Sequence, residues 1–288
     1  QYNGSPPKAI DYACGAGHFL TELALQIKPL VARHKPDASL SDYHRAIYGI
    51  EKEYRLSKVA KVSAFMYGQQ EINICYGDAL VNQHAAFPGI EDGSFDILVA
   101  NPPYSVRGFL ETLPEKERQA YKLAESINEL ETASSIEAFF IERAKQLLKT
   151  GGVAAIVLPS SILSNGNNSI YERAREILIQ YFDIVAITEF GSGTFGKTGT
   201  NTVTLFLRRK PTTPDTAQHY RERVAEWFRG DAADTAATRI YQDEHLLARY
   251  CAHIQVPLED YKTLLQSQPD GPWATHLESV YLEKFNAS

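Results

Sequence analysis

The stretch Phe95-Asp96-Ile97-Leu98-Val99-Ala100-Asn101-Pro102-Pro103-Tyr104 decides the fold. Its first part predicts a buried β-strand, because the apolar run is short and rich in Ile, Leu and Val. The two prolines cannot continue a strand or a helix, so the chain is expected to leave the sheet at Asn101. In an open α/β sheet, ligands bind at the carboxyl ends of the strands, which makes this tip a candidate binding site. The alternative is a proline-rich turn after a core strand, with no further role.

The tip offers two hydrogen-bond acceptors and one aromatic face. Asn101 carries a side-chain carbonyl, Pro102 contributes a backbone carbonyl of fixed direction, and Tyr104 supplies a flat ring. These groups suit a planar ligand that bears an amino nitrogen, since the two carbonyl oxygens can accept hydrogen bonds from both N–H groups of that nitrogen.

A glycine-containing turn follows the first predicted strand. Residues 8–13 predict that strand, Gly15 and Gly17 form a Gly-x-Gly turn, and an amphipathic helix follows. This order is typical of the opening of a Rossmann-like unit, in which glycines let the backbone approach a ligand closely. The dinucleotide fingerprint is incomplete, because Leu20 occupies the position of the third glycine.

Acidic residues end the second and third predicted strands, at residues 45–51 and 72–80. Glu51 is placed to accept both ribose hydroxyls of an adenosine, or else to serve as an acid at a helix N-terminus. Asp78 is placed to accept a hydrogen bond from an adenine amino group, with Ala79 beside the ring, or else to form a turn.

Strand and helix patterns continue as far as residue 210. They predict three further strands at 153–158, 183–190 and 202–207. An inserted loop is expected at residues 35–42. The helix after Glu51 is expected to carry its apolar face on Val59, Val62 and Met66. Gly151-Gly152 is expected to end the helix before the fifth strand.

Composition excludes several classes of protein. The 288 residues are 44% hydrophobic and 22% charged, as in globular proteins, and no stretch has the apolar length of a membrane span. The three cysteines, Cys14, Cys75 and Cys251, show no paired spacing. This argues against a disulfide framework or a zinc site and predicts a cytoplasmic protein.

The charge balance argues against a chain that grips DNA alone. The net charge is −6, and residues 211–288 carry 7 Lys and Arg against 12 Asp and Glu, whereas residues 1–210 carry 22 against 23. A self-sufficient nucleic-acid clamp usually has a basic surplus. We therefore predict one domain over 1–210 and an acidic, helical extension or docking segment over 211–288. A chain that begins with Gln1 is expected to be part of a longer protein.

In combination, these motifs resemble those of the adenine-N6 DNA methyltransferases of the gamma group, most of all the modification subunits of type I restriction-modification systems. Residues 11–20 read D-Y-A-C-G-A-G-H-F-L, close to the D-P-A-C-G-S-G-x-F-L of these enzymes, with Tyr12 in place of proline. In these enzymes a further segment precedes the first strand and caps the cofactor, and that segment is not found here. The resemblance covers residues 8–210 and implies an α/β fold: a Rossmann-like, seven-stranded S-adenosylmethionine-dependent methyltransferase sheet with helices on both faces.

The resemblance also implies roles for individual residues. The methionine end of S-adenosylmethionine would be lined by Asp11, Ala13, Gly15 and Gly17, its ribose would be held by Glu51, and its adenine by Asp78 and Ala79. The catalytic tip would be Asn101, Pro102, Pro103 and Tyr104, with Tyr104 and Phe195 stacking on the two faces of the target base.

The implied function is methyl transfer to the N6 amine of a flipped-out adenine in double-stranded DNA, without a metal and away from membranes. A specificity subunit or a fused target-recognition domain is expected as a partner, together with a restriction subunit. Two alternatives stay open: a protein-glutamine N5 methyltransferase, whose Asn-Pro-Pro-Tyr tip holds a planar amide, and a non-catalytic assembly subunit.

Overall fold

The computed structural model describes residues 6–69, 73–127, 129–165, 168–191 and 200–211, and a few residues between 251 and 260. The chain divides into two compact units, Gln1–Thr213 and Pro214–Ser288. The described residues lie almost entirely in the first unit. The predicted helical extension at 211–288 falls mostly outside them and stays a prediction.

A seven-stranded sheet forms the centre of the first unit, in the order β3-β2-β1-β4-β5-β7-β6. The first five strands run parallel, whereas β7 lies antiparallel between β5 and β6. This confirms the predicted Rossmann-like sheet. The strands are β1 Ala9–Asp11, β2 Ile47–Glu51, β3 Asn73–Tyr76, β4 Phe95–Ala100, β5 Leu148–Pro159, β6 Phe182–Phe190 and β7 Thr202–Arg209.

Helices cover both faces of the sheet and create two apolar cores. The helices are α1 His18–His34, α2 Leu40–Arg45, α3 Tyr54–Met66, α4 Glu115–Arg118, α5 Ile136–Leu147, α6 Ser161–Ser164 and α7 Ser169–Tyr181, with a 3₁₀ helix at Lys122–Ser126. Strand residues alternate between the faces, so that Ile47 and Ile74 join the core under α1 and α3, whereas Ile50 and Cys75 join the core under α5 and α7.

The expected apolar face of α3 does not enter the core. Val59, Val62 and Met66 are 48%, 58% and 79% exposed. The helix instead buries small residues, among them Ala60. A Cβ added at Gly17, at the start of α1, would lie only 3.2 Å from the Cβ of Ala60. The prediction was wrong because close packing of α1 on α3 requires small side chains, whatever the apolar periodicity.

The glycine pair at 151–152 shapes a strand rather than a helix end. Helix α5 stops at Leu147. Gly151, at φ +78°, lies inside β5, close to an irregularity in the pairing of β5 with β4. A Cβ at Gly152 would lie 2.9 Å from the carbonyl oxygen of Phe95. The loop expected at residues 35–42 also differs, since helix α2 begins within it.

Packing explains two departures, that of Tyr12 from the proline of the resembled methyltransferase motif and that of Leu20 from the third glycine of the dinucleotide fingerprint. Tyr12, in place of proline, is buried directly after β1. Its hydroxyl donates a hydrogen bond to the Phe140 carbonyl oxygen at 3.1 Å, and its ring stacks on the Phe140 ring with the centroids 5.0 Å apart. Leu20, in place of the third glycine, packs over Gly49 on β2, where an added Cβ would lie 2.7 Å from the Leu20 Cδ1. A third glycine usually lets the helix approach the strand closely. Here Gly49, on the strand, allows the same close approach.

We therefore predict that Gly49→Ala lowers the free energy of unfolding by about 1–3 kcal/mol, the usual cost of an overpacked core. Urea denaturation followed by circular dichroism measures the change. Gly191→Ala is the matched control, because a Cβ there meets no atom within 4 Å. An unchanged midpoint for Gly49→Ala would contradict the packing of Leu20 over this glycine.

Candidate active site

The order of the strands reverses between β1 and β4, which lie side by side and parallel. Ligands of open α/β sheets bind in the crevice outside the carboxyl ends of the strands at such a point. The turn after β1 contains Gly15, and the tip after β4 begins at Asn101. The topology thus brings the two main sequence motifs to one edge of the sheet.

The glycine turn is joined directly to the tip of β2. Glu51 Oε2 accepts a hydrogen bond from the Gly15 N–H at 2.8 Å, and its Oε1 accepts one from the Glu53 N–H at 2.7 Å. Gly15 adopts φ +53°, and no atom lies within 4 Å of a Cβ added to it, so this backbone faces open space. The acid that caps the N-terminus of α3 is Glu53 rather than Glu51, because the Glu53 side chain accepts a hydrogen bond from the Leu56 N–H.

Asp11 is a buried carboxylate at the end of β1. It is 1% exposed, and its Oδ1 accepts a hydrogen bond from the Ala13 N–H at 3.0 Å. Burial raises the pKa of Asp11 to about 7, and the Glu51 carboxylate adds to the rise, although the Ala13 N–H opposes it. A cationic group beside Asp11 would stabilise its ionised form.

Asp78 follows β3, and each of its carboxylate oxygens contacts a different residue. Its Oδ1 accepts from the Leu80 N–H at 3.0 Å, which is the turn predicted as an alternative. Its Oδ2 lies 2.7 Å from the Nζ of Lys52, a residue that the sequence reading missed. The neighbouring Ala79 is buried, and its carbonyl oxygen accepts from Arg143 Nε at 2.9 Å.

The tip after β4 is held by a bond within itself. The Tyr104 hydroxyl donates a hydrogen bond to Asn101 Oδ1 at 2.6 Å. Asn101 and Pro103 are exposed, Pro102 is buried and Tyr104 is half-buried. Burial, and then the nearby Glu137, raise the pKa of Tyr104 to about 12, so its hydroxyl keeps its proton at neutral pH. Phe195, expected to stack on the other face of a target base, lies outside the described residues.

The described part of the chain holds no group of three or more His, Cys, Asp or Glu that could bind a metal ion. Within the same part, every helix is too short or too polar to cross a membrane.

The arrangement therefore has two halves. Three carboxylates, on Asp11, Glu51 and Asp78, stand at the tips of β1, β2 and β3, where they can accept hydrogen bonds from hydroxyl and amino groups and balance a positive charge. The oxygen of Asn101 stands at the tip of the neighbouring β4.

Comparison with known proteins identifies a sequence family and several relatives. The sequence model of the N-6 DNA methylase family matches residues 4–227. The chain is 24% identical over 204 residues to the modification methylase CviBIII of Paramecium bursaria Chlorella virus NC1A, covering 71% of this chain and 43% of the relative. It is also 24% identical over 255 residues to the type II restriction enzyme and methyltransferase RM.Eco57I of Escherichia coli, covering 70% of this chain and 24% of the relative. The chain thus spans less than half the length of these relatives.

Solved structures share the fold. The M protein of the type I restriction enzyme EcoKI superposes with a TM-score of 0.53 at 19% identity, over 70% of this chain and 40% of its own. The methyltransferase subunit of a type I restriction-modification system from Streptococcus thermophilus gives a TM-score of 0.51 at 19% identity, over 73% of this chain and 41% of its own.

The burial of Asp11 predicts a pH dependence of stability. Its pKa in the folded chain, about 7, lies above the ordinary value of 3.8, so the folded state favours the protonated carboxyl. The stability that this group contributes is therefore complete below the unfolded pKa and is lost as the pH rises through the folded pKa.

We expect the free energy of unfolding of the ligand-free protein to fall more steeply between about pH 4 and 7 than that of Asp11→Asn, which keeps an acceptor for the Ala13 N–H. Urea denaturation at several pH values measures both curves. Parallel curves would show that Asp11 does not titrate in this range.

Proposed function

Because the chain belongs to the N-6 DNA methylase family, we propose that it transfers a methyl group from S-adenosylmethionine to the N6 amine of an adenine in double-stranded DNA. The observation that supports this proposal is that Asn101 directly follows β4, the strand beside β1, while Gly15 in the turn after β1 is hydrogen-bonded to Glu51 at the tip of β2. A role as the modification part of a restriction-modification system is supported by the names of the relatives, a modification methylase and a restriction enzyme and methyltransferase.

The residues after β1, β2 and β3 fit S-adenosylmethionine. Gly15 leaves open space for a ligand, and Asp11 is a buried carboxylate that a sulfonium or an α-amino group would keep ionised. Asp11, Ala13, Gly15 and Gly17 would hold the methionine end, Glu51 the ribose, and Asp78 with Ala79 the adenine. When bound, S-adenosylmethionine supplies the methyl group.

The tip would activate a poor nucleophile. The lone pair of the adenine amine is delocalised into the ring, so the amine needs help to attack. Asn101 Oδ1 and the Pro102 carbonyl oxygen would accept hydrogen bonds from the two N–H groups of the amine. These hydrogen bonds would favour a pyramidal nitrogen and stabilise the positive charge that develops on it. The Tyr104 hydroxyl already uses one lone pair of Asn101 Oδ1 and leaves the second for the substrate.

The target amine cannot be reached inside a duplex, so we infer that the adenine is flipped out of the stack. Flipping costs a few kcal/mol. Stacking on an aromatic ring such as Tyr104, with Phe195 on the opposite face, would offset this cost by about 1–3 kcal/mol for each ring.

Recognition of the DNA sequence would come from another domain or subunit. Residues 1–210 are nearly neutral, with 22 basic against 23 acidic side chains, and do not supply the basic surplus of a DNA clamp. A specificity subunit or a fused target-recognition domain, acting with a restriction subunit, would provide it. The cytoplasmic location stays a prediction.

We predict that Asn101→Ala lowers kcat for methyl transfer about 100-fold or more, because an acceptor of the charge that develops in the transition state is lost. The dissociation constant of S-adenosylmethionine, measured by calorimetry, should change by less than about twofold. The assay follows labelled methyl transfer to adenine-containing duplex, with a release-factor peptide as the competing substrate.

Asn73→Ala is the matched control for this experiment. Asn73 begins β3, so it lies at the opposite edge of the sheet from the tip. The kcat of the Asn73→Ala variant should therefore equal that of the wild type. Preserved turnover in Asn101→Ala would refute the acceptor role. Transfer to the peptide alone would favour the glutamine methyltransferase alternative.

The two roles of Tyr104 can be separated. Tyr104→Phe keeps the ring but loses the bond to Asn101 Oδ1, so kcat should fall by about 2- to 10-fold, the worth of one hydrogen bond. Tyr104→Ala also loses stacking and should weaken capture of the flipped base by a further 5- to 150-fold, or about 1–3 kcal/mol. Fluorescence of 2-aminopurine at the target position measures capture of the flipped base. Equal capture by both variants would contradict stacking of the Tyr104 ring on the target base.

A further inference from the structure

The residue directly after the tip has an unusual backbone. Ser105 adopts φ +53°, and among the described residues only Gln255 is another non-glycine residue with a positive φ. A left-handed conformation costs an L-residue about 1–2 kcal/mol, so some contact must hold Ser105 there.

That contact is a buried carboxylate. Glu137, in the first turn of α5, has no exposed surface. Its Oε2 accepts a hydrogen bond from the Ser105 N–H at 2.9 Å, and its Oε1 accepts a short one from the Tyr171 hydroxyl. A bond to a carboxylate is stronger than one between neutral groups, and the first turn of a helix favours a negative charge.

The far side of the carboxylate is fixed as well. Asn168 caps α7 by accepting from the Tyr171 N–H at 3.3 Å, and it donates to the hydroxyl of Ser135, the residue before α5, at 3.2 Å. Burial, and then the bond to Glu137, raise the pKa of Tyr171 to about 12, so its hydroxyl stays a donor. Two helices thereby hold the Glu137 side chain in one orientation.

We propose that Glu137 is the positioning residue of the tip Asn101–Tyr104. Through the Ser105 N–H it keeps Ser105 in the left-handed conformation, which fixes Tyr104, whose hydroxyl in turn orients the Asn101 oxygen. This role rests on the proposed function, because the positioned oxygen is the acceptor of the target amine. Glu137 itself does not touch the substrate.

Helix α5 offers a matched control. Glu142 is equally buried, at 1% exposed, and also accepts backbone hydrogen bonds, from the Lys122 N–H at 3.0 Å and the Leu123 N–H at 3.1 Å. These bonds hold the 3₁₀ helix rather than the tip. Loss of either carboxylate should destabilise the fold, but only loss of Glu137 should affect the geometry of the tip.

The test compares Glu137→Leu with Glu142→Leu in the full natural protein with its partner subunits. Glu137→Leu should lower kcat at saturating substrates by about tenfold or more, with the dissociation constant of S-adenosylmethionine changed by less than about twofold. Glu142→Leu should leave kcat within about twofold of the wild type. Glu137→Gln keeps one oxygen acceptor and should recover most of the loss.

A second background tests how Glu137 acts. Glycine adopts φ +53° without the steric penalty, so the loss of kcat caused by Glu137→Leu should be smaller when Ser105→Gly is also present. An equal or larger loss in that background would overturn the role assigned to the Ser105 backbone.

Hydrogen exchange of the peptide that contains Ser105 gives a readout independent of activity. Its amide should exchange about tenfold faster in Glu137→Leu than in Glu142→Leu. If the leucine variant does not fold, Glu137→Gln replaces it and should raise this rate about threefold relative to Glu142→Gln, because the charge of the acceptor is lost. If the wild type methylates no adenine, the proposed function fails, and the exchange rates still decide the positioning role. Equal exchange rates, or a kcat loss shared by Glu142→Leu, would overturn it.

Discussion

The parallel pairing of β1 with β4 determines where the two main sequence motifs, the glycine turn and the asparagine tip, lie. It sets Ile10 beside Leu98, so the two strands end together and their following turns open at one edge of the sheet. The glycine turn and the asparagine tip are 86 positions apart if counted from Gly15 to Asn101, yet they follow strands that lie side by side. A slip of one residue in either strand would turn its side chains to the opposite face and break the arrangement.

Buried or half-buried carboxylates organise this edge, and each is held by backbone N–H groups. Asp11 accepts from Ala13, Glu51 accepts from Gly15, and Glu137 accepts from Ser105. Burying a carboxylate costs free energy unless it is hydrogen-bonded, so these bonds both maintain the acids and fix the loops that donate to them. The same edge can therefore balance a positive ligand on one side and orient a neutral acceptor, Asn101, on the other.

Much of this could be predicted from sequence because it depends on local pattern. Three local patterns each indicate a strand that ends at a polar group. They are the apolar run before Asn101, the Gly-x-Gly turn, and the acids at the ends of β2 and β3. What could not be predicted depends on contacts distant in sequence. The small face of α3 matters only because α1 lies on it, and Lys52 only because β3 brings Asp78 beside it. Glu137 is 32 positions from Ser105, and nothing in its own stretch of helix distinguishes it from Glu142.

The central claim is that the methyl group goes to the exocyclic amine of adenine. It is tested most directly by incubating duplex DNA with the full natural protein, any subunits that purify with it, and S-adenosylmethionine that carries an isotopically labelled methyl group. The DNA is then digested to nucleosides and analysed by mass spectrometry. We predict that the label appears in N6-methyl-2′-deoxyadenosine released from the DNA. Label in methylcytosine, or in no nucleoside while the protein binds S-adenosylmethionine, would contradict the claim.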